Sequence, residues 1–106
     1  MTFSRWYPLD DASTHTPARP GVLQLRVRDG LIDYPRGKSA MIHYAVADDL
    51  RRVATSLPAR AAPVPILCRH TEELSAAERA DLAGAFARLL ATFRARFGAE
   101  PGLPPS

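Results

Sequence analysis

The chain has 106 residues, of which 46% are hydrophobic and 24% charged, with a formal net charge of +3. One hydrophobic core fits in that length and the composition is that of a folded protein, which excludes a second ordinary-sized domain and wholesale disorder. A single cysteine, Cys68, excludes an internal disulfide framework, and no apolar run approaches the ~20 residues that span a bilayer, so the expected location is the cytoplasm.

Residues 1–20 mix Pro, Ser, Thr and Asp without a period and read as an extended arm. Its aromatic pair, Trp6 and Tyr7, either anchors the arm to the core or offers a surface to a partner. From Val22 the pattern alternates, with Leu23, Leu25 and Val27 on one face and Gln24, Arg26 and Arg28 on the other. The Asp29-Gly30 pair that follows predicts a type I′ hairpin pairing 22–28 with 31–34.

Ile42, Tyr44 and Val46 alternate as a strand does, yet Ile42, Val46, Leu50, Val53 and Leu57 also fit one helical face. The β-branched and aromatic content and the Asp48-Asp49 start signal favour a strand over 41–46 and a helix over 49–57. Pro58 ends that helix, a connector runs to Pro63, and a short strand is expected over 64–69.

Ser75-Ala76-Ala77-Glu78 is a capping box, and Gly98 stands at the C′ position, so a helix is predicted over 76–97, roughly 33 Å at ~1.5 Å per residue. Leu82, Phe86, Leu89, Leu90, Phe93 and Phe97 form a stripe expected to cover a sheet and to dominate stability. Behind it lie Ala80, Gly84, Ala87, Ala91 and Ala95. Small residues at that spacing admit a second helix and make this face a candidate homodimer surface, although alanine is also the best exposed helix former.

The basic charge rests on arginine, with Lys38 the only lysine, and falls short of a dedicated nucleic-acid patch. Arg26, Arg36, Lys38, Arg51 and Arg52 are the candidate anion or nucleic-acid contacts. The loop Arg36-Gly37-Lys38-Ser39 has Ile32 where a phosphate-binding P-loop needs its first glycine, so it is not that motif. Cys68 and His70 share a strand face at i, i+2, ~7 Å apart, which is long for a nucleophile and its base. His15, His43 and His70 lack metal-ligand spacing, and neither a cofactor nor a metal is expected.

Pro20-Gly21-Val22-Leu23-Gln24-Leu25, followed by Ile42-His43-Tyr44-Ala45-Val46 leading into Asp49-Leu50-Arg51-Arg52, resembles the opening of a GIY-YIG nuclease domain over about 40 residues. The resemblance implies two tripeptides on neighbouring strands and a helix after the second. Leu23 stands where the family has a tyrosine, Val46 where it has a glycine and Val53 where it has an arginine, and the chain contains no asparagine. It therefore implies a related fold with an inactive site.

The expected architecture is α+β: an arm at 1–20, one domain at 21–98 and a Pro-rich tail at 99–106. A small antiparallel or mixed sheet of three to four strands is covered by the long helix and flanked by the short one. The expected function is a non-catalytic binding or adaptor domain acting through protein contacts. The alternatives are an inactive GIY-YIG-like nucleic-acid binder, or a small enzyme built on Cys68 and His70 or on the 36–39 loop.

Overall fold

A computed structural model describes residues 1–57 and 64–102; the predicted connector from Pro58 to Pro63 and the end of the predicted tail lie outside them. The protein is α+β. In chain order come β1 (Thr2–Phe3), β2 (Tyr7–Pro8), a 3-10 turn (Leu9–Asp11), α1 (Ala12–His15), β3 (Gly21–Val27), β4 (Ile32–Tyr34), β5 (Gly37–Ser39) and β6 (Met41–Ala47). Then follow α2 (Leu50–Ser56), β7 (Ile66–Glu73), α3 (Ala76–Ala80) and α4 (Leu82–Phe97).

The main sheet has the order β1-β7-β3-β6, with β2 also pairing with β7, and every pairing in it is antiparallel. β3 is buried on both faces because it sits between two long partners: Leu23 lies opposite Ala45 of β6 and His70 of β7, and Gln24 opposite Tyr44 and Arg69. The predicted hairpin between 22–28 and 31–34 does not form. Of the two turn residues Gly30 alone has a positive φ, at 81°, whereas a type I′ turn needs the same of Asp29, so the chain leaves the sheet at this point. β4 turns back on β5 as a separate two-stranded ribbon, and β6 takes the place beside β3.

The arm is not a free extension. Phe3 pairs with Thr71 and Tyr7 with Cys68, and residues 9–15 coil so that Tyr7, Leu9 and Ala12 enter the core with Leu23, Leu25, Val27, Leu50, Ala54 and Cys68. Alternation along a strand sends neighbouring side chains to opposite faces. This core therefore lies on one side of the sheet under α1 and α2, while α4 covers the other.

The long helix is interrupted. Asp81 leaves helical geometry at φ −140°, ψ 72°, closing α3 and capping α4 by accepting from the Gly84 amide at 2.9 Å. The capping box at Ser75 and Glu78 forms in both directions, and Gly98 takes the left-handed conformation at φ 84°. Of the predicted stripe only Phe93 is fully buried, joined by Ala85, so the α4 layer is thinner than the core on the opposite face. Phe93 stacks edge-on against Tyr34 and Tyr44, which ties the helix to β4 and β6.

Candidate functional site

Cys68 and His70 come together only through a third residue. The Tyr7 hydroxyl lies 2.8 Å from His70 Nδ1, 2.8 Å from Thr16 Oγ1 and 3.8 Å from Cys68 Sγ. Cys68 is wholly buried, and burial pushes its thiol up to about 11. Burial first, then the Arg19 charge, holds the His70 imidazole below its usual range. A neutral thiol and a neutral imidazole joined by a phenol form a structural network with no route for a substrate to the sulfur. Sequence spacing could not reveal Tyr7 as the bridge, because it arrives from β2 at the far end of the chain.

The five predicted basic contacts do not share a surface. Arg36 and Lys38 lie on and beside the β4–β5 ribbon at the C-terminal end of α4, where the Arg36 amide donates to the Phe97 carbonyl and Lys38 pairs with Asp33 at 3.6 Å. Arg51 donates to the Thr16 carbonyl, and Arg52 borders a groove with Val46, Asp48 and Leu82 at the N-terminal end of α4. The 16 residues of α4 separate the two groups by roughly 24 Å.

Arg26 on β3, opposite Met41 of β6, is brought to Trp6. The Arg26 guanidinium lies 5.5 Å from the Trp6 ring centre, and Arg69, which no sequence motif marked, lies 4.4 Å from Trp6 and 4.5 Å from Phe3. Arg69 Nε donates to Gln24 Oε1 at 2.7 Å. Register places the group: Gln24 faces Arg69 across β3 and β7, with Arg26 two residues along on the same face. Two half-buried arginines therefore share an aromatic setting in which, among the described residues, neither has a carboxylate partner. Arg69 could have been suspected only from a cationic residue alternating with the buried Cys68 and His70 in β7.

The predicted partner surfaces divide. Tyr7 is 7% exposed and belongs to the core, so it offers nothing to a partner, while Trp6 is half-buried beneath the two arginines. Ala80, Ala87, Ala91 and Ala95 are exposed on α3 and α4. Gly84 serves the cap instead: a Cβ there would lie 2.2 Å from Asp81 Oδ2.

Another surface was not anticipated. β6 ends the sheet, and its seven residues, Met-Ile-His-Tyr-Ala-Val-Ala, contain no Pro, Lys, Arg, Asp or Glu. On its outer side the described residues give the β6 backbone only the Tyr34 hydroxyl on the Met41 carbonyl and Ser39 Oγ on the Met41 amide. Val46 is 38% exposed and opens into a groove of about 420 Å³ bordered by Val53, Leu82 and Ala83.

Among the described residues no three His, Cys, Asp or Glu side chains converge as a metal site, and no helix is long and apolar enough to cross a membrane. The segments that resemble the GIY-YIG opening lie side by side, with Val22 opposite Val46, which is the geometry of any antiparallel pair. No family model, curated protein or solved structure matches the chain.

Proposed function

We propose that this protein is a non-catalytic binding domain that recognises a protein partner by adding a strand at β6. The observation that supports this reading is the open, uncharged β6 edge. An edge strand presents a row of unpaired amides and carbonyls, and soluble proteins ordinarily blunt it with charge, proline or a covering element. Among the described residues β6 has none of these beyond Met41. An incoming extended segment would gain main-chain hydrogen bonds along 42–47 and could seat a side chain in the groove beside Val46.

The first strand to consider is β6 of a second copy, since an antiparallel edge is self-complementary about a two-fold axis. Sedimentation velocity over a concentration series tests this directly. Self-association is expected for the wild type and its loss for Val46→Lys, which places a charge on the exposed edge while leaving the core intact. A wild-type protein that remains monomeric at every concentration rules out the second copy, and failure of isolated edge-strand peptides to bind would then remove strand addition altogether.

A further inference from the structure

The cluster around Arg69 is built almost entirely of hydrogen-bond donors. A guanidinium can only donate, so the 2.7 Å contact from Arg69 Nε fixes the Gln24 amide with its oxygen toward the arginine. Gln24, only 3% exposed on the central strand, is held in place by this bond, and among the described residues no buried side-chain nitrogen or oxygen lacks a partner. Arg26 uses its Nε on the Val27 carbonyl at 3.0 Å, and among the described residues the terminal nitrogens of both guanidinium groups have no hydrogen bond. Tyr44 is an electrostatic neighbour of Arg69, and its hydroxyl also has no hydrogen-bond partner among the described residues.

The charges are equally one-sided. Arg69 is desolvated against Phe3 and Trp6, and the charged group that acts on it is another cation, Arg26. Two guanidinium groups held close without an anion are costly, because each loses water without gaining a counter-charge. Two half-buried guanidinium groups with no carboxylate partner among the described residues, and a phenol beside them, suit an oxyanion.

We propose that the half-buried Arg26 and Arg69, with the Tyr44 hydroxyl beside them, bind a phosphate monoester. Such a group carries about −1.5 to −2 charges at neutral pH and three acceptor oxygens, which match two guanidinium charges and more than two donors. A carboxylate offers one charge and two oxygens, and a phosphodiester one charge. The aromatic packing holds the Arg69 fork in place, so little side-chain entropy is lost on binding. The site is separate from the β6 edge and does not depend on how that edge is used.

Trp6 is the only tryptophan in the chain and touches both arginines, so its fluorescence reports on the site. Inorganic phosphate titrated at constant ionic strength is expected to give a saturable change in Trp6 emission. Arg26→Gln should weaken the apparent affinity by about tenfold or more, the scale of one lost charge-assisted contact. Arg52→Gln, on α2 at the opposite side of the sheet, should leave it unchanged. Because Arg69→Gln could also disturb the sheet, Arg26→Gln carries the test, with its fold checked by circular dichroism. A linear, unsaturable response, or identical binding by wild type and Arg26→Gln, overturns the proposal. Acetate saturating the signal as tightly as phosphate also overturns it, by showing a site for carboxylates.

Discussion

Gly21 shows how tightly single residues are set in this molecule. An added Cβ would lie 2.4 Å from Thr71 Oγ1 and 2.8 Å from Leu50 Cδ1, where the Thr71 hydroxyl accepts from the Val22 amide at 3.1 Å. Gly21→Ala is therefore expected to cost about 1–3 kcal/mol in urea melts through overpacking. Cys68, buried and held as a thiol, should resist alkylation by iodoacetamide in the native protein and react only once urea unfolds it. Burial lowers the imidazoles of His43 and His70 in the folded state. As pH falls through about 6.5 the unfolded chain takes up these protons first, so stability present above that value is lost on acidification. The urea midpoint should be lower at about pH 5.5 than at about pH 7.5. A His43→Gln/His70→Gln variant with the same difference between the two would refute the assignment. Periodicity marked none of these residues as special, because each owes its role to a neighbour remote in sequence.

At the scale of elements, locally encoded features were legible. The capping box, the left-handed Gly98, the β6 strand, the α2 helix and the strand containing Cys68 and His70 appear where short-range chemistry put them, within a few residues. Ser75→Ala should lower stability by about 1 kcal/mol, measured by urea melts. The break at Asp81 was hidden because alanine-rich, helix-forming sequence runs on both sides of it without a proline, and the interruption depends on a carboxylate choosing the Gly84 amide. Phe93→Ala should cost about 3–5 kcal/mol. Phe86→Ala should cost less, since that ring stays half-exposed; equal losses would contradict the packing described for α4. The Asp29-Gly30 signal misled for a physical reason: a turn preference cannot compete when β3 gains the long β6 as its partner in place of the three-residue β4.

For the whole molecule, the class was readable from composition and pattern, but the pairing of distant segments was not. Residues 1–8 looked like an arm because two-residue strands have no period, and the Arg26–Arg69–Trp6 cluster depends on the same pairings. Deleting residues 1–8 removes Phe3, Trp6 and Tyr7 together and should abolish cooperative thermal unfolding, followed by circular dichroism. That same pairing governs when the protein can fold. β1 and β2 are completed by β7, with Phe3 opposite Thr71, so a segment made first on the ribosome must wait for one made late. Closing so long a loop slows folding. While the intervening chain is being made, the aromatic rings of Phe3, Trp6 and Tyr7 remain without their native cover and are the apolar surface that a partly made chain exposes to aggregation.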